Sequence, residues 1–588
     1  MIRLPVNHSS LYLHMLNSED GIDLIIVGGG IAGLTTAVRA AEIGLRPLLL
    51  EKGSGVEYPN NSRYSGGILH IGFHDPYRPP EELEQLIHKL TSGEAKPELA
   101  AALAKNGARL ITWLQDKGGK FMRFNPQEGY RWCMAPPRAL RAGNDWKERG
   151  PDLMLKRLVL ALAELGGKIQ YGARATNLIM EGGRCVGVRG VCDGQEMLWK
   201  APFTVIADGG FQTNSQLYEK YIGTNFSSVF QRGGRTGYGD GINMVLEAGG
   251  VVNNSGNRFY GHILCSDAKH NDAVWPYPEL DAIATAGIVI DANGQRIADE
   301  GRSGVHLANE LATKAKTEKL FAIFDQHIWN GPGTSARIPA NPLLERAGGT
   351  ILRASSCEEL AQLMSVPSDI LNQTITEYNQ ALENGSLNRL PIKRSDLVKP
   401  LPINPSQIMA IPICPGITYT MAGIDIDQHA QVLDKTSMPI PGLFAAGAAT
   451  GGLEGGSDSV YIGGLIKSGS FGLLAAERIA HLQGKLITIQ YPKRIGDEPL
   501  KLDDPSDART DVSYGLERFP VLRNLIRFGK PIAIILGVLA SLLTFSLLPA
   551  SLGWLTPLIA LGVGGLILVI ILGVVELIVL ITEFLIPD

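Results

Sequence analysis

The run DLIIVGGGIAGLTTAVRAAEIGLRPLLLEK, Asp23 to Lys52, restricts the fold of this chain more than any other stretch. Leu24 to Val27 is a short apolar segment suited to a buried parallel strand. Gly28, Gly30 and Gly33 then fall in G-x-G-x-x-G spacing ahead of a helical pattern. Gly28 permits the tight turn, Gly30 lets a pyrophosphate approach the backbone, and Gly33 lets helix pack close on strand, so that phosphate charge faces the positive helix end. A second strand, Leu45 to Leu50, ends at Glu51, where a carboxylate can accept hydrogen bonds from a ribose diol. A merely structural turn needs only the glycines. The full strand, helix, strand and acid predict an α/β, Rossmann-like dinucleotide site, and Glu51 favours an unphosphorylated adenosine ribose, as in FAD or NAD.

With 588 residues the chain is long enough for two or more domains. Its net charge of -4 and lack of a polybasic tract argue against nucleic acid as a partner. Cys133, Cys185, Cys192, Cys265, Cys357 and Cys414 form no C-x-x-C pair, which argues against iron-sulfur clusters, c-type haem and a disulfide scaffold, and no metal site is expected. A reducing compartment fits this usage. The first twenty residues lack an apolar segment of signal-peptide length.

The tail differs in kind. Pro531 to Val575 carries no charge and divides at LPASLGWLTP into Pro531–Leu548 and Pro557–Val575. Each half reaches about 27 to 29 Å, near the roughly 30 Å hydrocarbon core. Two crossings joined by a tight turn are expected, with Pro549 and Pro557 bracketing the turn, Trp554 at an interface and Glu576 at the far boundary. Arg518, Arg523, Arg527 and Lys530 ahead of the first crossing place the catalytic part on the cytoplasmic side. The alternatives are a re-entrant or monotopic anchor, or a buried helical hairpin, which the all-round apolarity disfavours.

Between these ends, YPNNSRYSGGILHIGFHD reads as a glycine-centred loop beside the dinucleotide, and FTVIADGGFQ as a buried strand ending at Asp208, Gly209 and Gly210. In TGYGDGINMVLEAGG, Gly239, Asp240 and Gly241 open a helix. The run PIPGLFAAGAATGGLEGGSDSVYIGGLIKSGS gives a strand into Gly447, a glycine-rich loop and a helix from Gly464. Two distant glycine-rich helix entries suggest one cofactor domain interrupted by an insert: cofactor domain 20–251, insert 252–412, cofactor domain again 413–490, linker 491–530 and hairpin 531–588. Lys52, Ser65, Gly66, Gly67, Ala175, Asp208, Gly209 and Gly447 join the glycines of the opening motif as expected cofactor contacts.

The opening motif, TGYGDGINMVLEAGG and YTMAGIDIDQHAQVLDKTSMPIPGLFAAG together resemble the FAD-dependent fumarate reductase and succinate dehydrogenase flavoprotein superfamily over about Asp23 to His481. NSRYSGG and RIADEGRSG look most similar to the tricarballylate dehydrogenase branch. The resemblance implies an α+β capping domain closing over FAD and hydride exchange between flavin N5 and a carbon next to a carbonyl or carboxylate. It implies oxidation or reduction of a C–C bond in a small-molecule substrate. Gly464 and Leu465 are expected to offer amides to flavin O2, and Asp240 to accept from flavin-side or backbone donors. Asn60 to Ser65 contains no histidine for covalent attachment, so noncovalent FAD is expected; Ala448 replaces a ribitol-binding glutamate of the family pattern.

The resemblance also nominates catalytic residues. Glu300 matches an acid of the capping motif and, with Arg302, could carry protons or grip a carboxylate; a surface ion pair is the alternative. His262 falls near a substrate-binding histidine, against a structural role. Tyr419 stands where fumarate reductases have a second substrate histidine, and Tyr461 where they have a carboxylate-binding arginine; an aromatic wedge is the alternative for Tyr461. A tyrosine polarises a carbonyl but forms no bidentate pair, which makes fumarate itself a poorer fit. AIFDQHIWNG lacks the arginine that serves as acid in soluble fumarate reductases, and Arg63 could compensate over the flavin or merely contact the cofactor loop. Electrons would leave through quinone or a separate membrane partner. A ketosteroid-dehydrogenase-like enzyme and a non-catalytic membrane flavoprotein are the competing readings.

Overall fold

The computed structural model describes residues 14–16, 21–122, 132–223, 225–254, 257–314, 319–493, 520–548 and 553–585. The described residues divide into two units, one running to Lys493 and the other holding the tail from Pro520.

In the first unit, β1 (Leu24–Val27) leads into α1 (Ile31–Glu42), which returns to β2 (Pro47–Glu51). Every residue of both strands is buried, as expected of central strands covered on both faces. They lie in a six-stranded sheet of order Gln431–Leu433, Pro439–Ala445, Phe203–Ile206, β1, β2, Lys168–Tyr171. Neighbours are parallel except the first pair, which is antiparallel. β1 has β2 on one side and Phe203–Ile206 on the other, so the direction of strand addition reverses there. The crevice at its carboxyl end is where such sheets bind ligands. The helix Gly464–Leu482 packs on α1; a Cβ at Gly472 would stand 2.6 Å from the Ala32 carbonyl oxygen, so glycine sets this close crossing.

A second sheet has the order Phe230–Gln231, Ile408–Thr420, Leu320–Asp325, Ile288–Ile290, with Phe259–Cys265 and Leu352–Ala354 also pairing to the long strand. Ile408–Thr420 runs straight through residue 412, where the sequence placed a boundary. Pro412 and Pro415 both sit within the pairing register of this strand, opposite Phe321 and Ile263. The YPNNSRYSGG segment, read as irregular, contains a short helix, Asn61–Tyr64, whose N-cap Asn60 accepts from the Arg63 amide at 2.9 Å.

The second unit holds helices Pro520–Leu547 and Leu555–Leu585. They cross closely at glycines: a Cβ on Gly564 would lie 2.5 Å from the Gly537 carbonyl oxygen. Of the two crossings expected, one stretch among the described residues, Leu555–Leu572, has the length and apolarity to span a bilayer; Ala533–Leu547 is apolar but shorter. Leu542, Leu543, Leu561, Leu566 and Val569 are all more than half exposed. Most of the expected linker, Pro549 and Arg518 lie outside the described residues, as do the side chains of Arg523, Arg527, Lys530 and Glu576.

Candidate functional site

The turn after β1 opens onto a cleft at the carboxyl end of the sheet. Gly28, Gly30, Glu51, Lys52, Ala175, Asp208, Gly209, Asp240 and Gly447 line it, together with Asn60, Gln212 and Ser468. Gly33 lies beneath: its Cβ position is 1.9 Å from the Gly28 carbonyl oxygen, so only glycine lets α1 seat against β1. Glu51 accepts from the Gly29 amide at 2.8 Å and the Gly53 amide at 2.7 Å. Burial pushes its carboxyl above the usual carboxylate range, opposed by those amides and by Lys52. Burial raises Asp208 to about 6, opposed chiefly by the Gly241 amide, which it accepts at 2.8 Å. Asp208 Oδ1, Gln212 Oε1 and Asn60 Nδ2 are buried in this wall with no hydrogen-bond partner among the described residues. Such groups suit a ligand rich in hydroxyls, phosphates and ring nitrogens, as a dinucleotide is.

Asp240 departs from expectation. Its carboxylate is held by Arg174 at 2.8 and 3.0 Å, because the strand Ala173–Glu181 brings that guanidinium across; the backbone-accepting role falls to Asp208.

A second cluster sits at the start of the helix Gly464–Leu482, one turn before the cleft-lining Ser468. The Gly464 amide donates to the Tyr461 hydroxyl at 2.9 Å, so this amide is already engaged and its expected donation to a flavin oxygen is corrected. The hydroxyl of Tyr461 accepts that bond and keeps its own hydrogen to give. Tyr260, from the strand Phe259–Cys265, stacks on Tyr461 with ring centroids 3.9 Å apart and planes 17° apart. Tyr419 lies 5.6 Å from Tyr260 and 6.4 Å from Tyr461, ring to ring. Its hydroxyl is committed: it donates to Glu454, 3.0 and 2.9 Å from the two carboxylate oxygens. Burial and the Glu454 charge both hold Tyr419 protonated. It therefore positions the cluster, and the expectation that it polarises a substrate carbonyl is corrected in favour of Tyr461.

Three other expectations change for physical reasons. Glu300 is fully buried, taken by Arg296 through two hydrogen bonds of 3.1 and 2.5 Å and by the Val289 amide at 2.9 Å. It is neither a surface ion pair nor a partner of Arg302, which instead pairs with Asp458 at 2.8 Å in the loop leading to Tyr461. Arg63 is also fully buried, donating to the Val56 carbonyl at 2.6 Å and lying 3.5 Å from Asp152 and over the Tyr58 ring. That burial ties Arg63 to the loop through Val56, Tyr58 and Asp152. Ser65, Gly66, Gly67 and Leu465 stand outside the cleft wall: the Ser65 hydroxyl closes the loop on the Ser62 carbonyl at 2.7 Å, and the Gly66 carbonyl accepts from Arg337 at 3.1 Å.

Sequence reasoning missed Glu454, Lys467, Tyr260, Asp281, Arg232 and Arg138. Glu454 accepts from Lys467 Nζ at 2.5 Å and from the Ile462 and Gly463 amides at 3.1 and 3.2 Å, holding the turn that aims the helix. Arg138 and Arg232 stand over the same Tyr277 ring, 4.3 and 4.8 Å from its centroid. The charge of Arg232 is met by Glu279, whereas Arg138 donates to the Tyr64 carbonyl and leaves Nε and Nη1 buried without a hydrogen-bond partner among the described residues. A charged residue inside a glycine-rich or apolar run, as at Glu454 and Lys467, was the available signal.

Residues 23–459 match the family described as FAD binding domain. The chain is 25% identical to the NADH:acrylate oxidoreductase of Vibrio harveyi, over 79% of this chain and 51% of that protein, so it spans about half the length of this relative. It is 24% identical to a fumarate reductase (cytochrome) of Shewanella frigidimarina, over 79% and 78% of the two chains. The 3-ketosteroid delta1-dehydrogenase of Sterolibacterium denitrificans, at 18% identity, covers 78% of this chain and 99% of its own with a TM-score of 0.62, a likeness of fold. FAD is the cofactor that the cleft and the family together identify.

Proposed function

Since this chain belongs to the FAD binding domain family and to the fumarate reductase and succinate dehydrogenase flavoprotein superfamily, we propose that it is an FAD-dependent oxidoreductase of CH–CH bonds in a small organic acid bearing a conjugated carbonyl. Bound FAD, held noncovalently, supplies the two-electron chemistry, giving or taking a hydride equivalent. Gly28, Gly30, Glu51, Asp208 and Gly447, which line the cleft, would hold it. The observation that carries the proposal is the Tyr461 hydroxyl, which accepts from the helix amide of Gly464 and keeps a hydrogen for a substrate carbonyl oxygen. Charge that develops on that oxygen is met by a preorganised donor. Arg138, with two buried guanidinium nitrogens that have no hydrogen-bond partner among the described residues, would provide a place for the carboxylate.

The test is an anaerobic flavin titration. Reduced enzyme is expected to be reoxidised by acetylacrylate and acrylate, and oxidised enzyme bleached by their saturated counterparts; no change of flavin absorbance with any of them, or with fumarate, overturns the proposal. Tyr461→Phe is expected to slow reoxidation by about 10²–10³-fold with FAD still bound. Arg138→Met is expected to raise the KM for acetylacrylate about tenfold or more, since a charge-assisted contact is worth about 1.5–3 kcal/mol, and to leave the neutral methyl ester almost unaffected. The tyrosine-rich wall favours one second reading, a lipophilic ketone of the steroid kind, and androstenedione in the same titration decides it. We also propose membrane attachment through Leu555–Leu572, catalytic part cytoplasmic, with quinone or a separate membrane partner as the electron route.

A further inference from the structure

The two-electron step leaves a proton to be placed on, or taken from, the carbon beside the carbonyl. The insert supplies a chain of groups for it. Asp281, the first residue of the helix Asp281–Ala286, sits 2.5 Å from His262 Nδ1, and its other oxygen accepts from the Ile263 amide at 2.7 Å. That second bond fixes the carboxylate on the strand carrying His262. The opposite ring nitrogen, Nε2, is 3.0 Å from the Tyr260 hydroxyl. Tyr260 in turn lies flat on Tyr461. The three groups thus form one line of hydrogen bonds from a partly exposed carboxylate to the face of the ring assigned to the substrate carbonyl. A carboxylate on Nδ1 sets the imidazole tautomer and its orientation, so that Nε2 can exchange a proton with the phenol.

We propose that Asp281, His262 and Tyr260 form a proton relay in which Tyr260 is the group that protonates the substrate carbon next to the carbonyl in reduction and deprotonates it in oxidation. The proposal rests on the CH–CH reading above. In the reductive direction the Tyr260 O–H bond breaks as the new C–H bond forms, with the electron pair staying on the phenolic oxygen. His262 then gives its Nε2 proton to that oxygen and is reprotonated from solvent, while Asp281 holds the Nδ1 hydrogen. The hydride equivalent that completes the reduction is the cofactor's, so two hydrogens enter the substrate and the flavin is oxidised. Burial, with Tyr461 alongside, keeps Tyr260 protonated, so it has a proton to give. Glu279 and Arg232 face the same cluster and offset one another.

Deuterium exchange separates this relay from electron transfer. Levulinate, a saturated keto acid, is incubated in heavy water with the oxidised, FAD-loaded full chain, and wash-in beside the ketone is read by mass spectrometry. Wild-type protein is expected to catalyse exchange, and Tyr260→Phe to lose it by about 10²–10⁴-fold while retaining FAD and the levulinate-induced flavin difference spectrum. His262→Ala is expected to lose exchange and recover it with added imidazole, which a packing role would not reproduce. Asp281→Asn, keeping an oxygen for Ile263, is expected to lower exchange at least tenfold. Exchange by Tyr260→Phe at the wild-type rate, or none by wild type, overturns the relay. Acetylacrylate reoxidation of reduced flavin in the same preparation reports separately whether the CH–CH reading stands.

Discussion

Glu454→Ala is expected to cost about 3–5 kcal/mol of stability, read as a lower urea midpoint at unchanged slope for the detergent-solubilised chain. Glu454 is 3% and Lys467 2% exposed, and the lysine Nζ lies 2.5 Å from the carboxylate. Truncation leaves an ammonium buried without its partner and strips an acceptor from the Tyr419 hydroxyl and the Ile462 and Gly463 amides. Those amides shape the turn into the helix Gly464–Leu482, so flavin retention should fall with stability. Because most of the cost is the orphaned charge, the double change Glu454→Leu with Lys467→Met is expected to recover the larger part. A Glu454→Ala unfolding free energy within about 1 kcal/mol of wild type would show that the pair holds nothing in place.

Gly33→Ala is expected to yield a colourless protein whose affinity for added FAD is at least about 100-fold weaker, equivalent to roughly 2.7 kcal/mol. The added methyl would meet the Gly28 carbonyl oxygen at 1.9 Å, and that atom is backbone, so α1 must lift from β1 and its first amides must leave their line. Gly30→Ala is the informative contrast. Its methyl would meet nothing nearer than the Ser62 hydroxyl at 3.4 Å, so the fold should be kept while the approach of the pyrophosphate is blocked. Circular dichroism of both variants beside FAD titration tests the distinction. Equal FAD affinity for Gly33→Ala and wild type would refute the seating described for α1.

The cofactor end of the site was legible because its determinants are local. Turn geometry, apolar period and an acid at the end of the second strand lie within thirty residues, and Gly28, Gly30, Glu51 and Lys52 line the cleft they form. The catalytic end was not. Tyr419 and Tyr461 were found by position, but position cannot say which hydroxyl has a spare hydrogen; Glu454, 35 residues from Tyr419, decides that. Arg63 and Glu300 carry charges that, by sequence alone, look available for substrate, yet each is buried against a partner.

By itself the sequence determined that a strand must turn tightly into a helix at Gly28–Gly33, that an acid must end the next strand, and that the tail is a long uncharged apolar run, since the first follows from backbone sterics and the others are carried by the residues themselves. Only the tertiary structure decided which charged groups neutralise one another. Pairing energy depends on distance and burial, and the strands Phe259–Cys265 and Ile408–Thr420 bring Tyr260 beside Tyr419 across some 160 positions of chain, a proximity that no local pattern encodes.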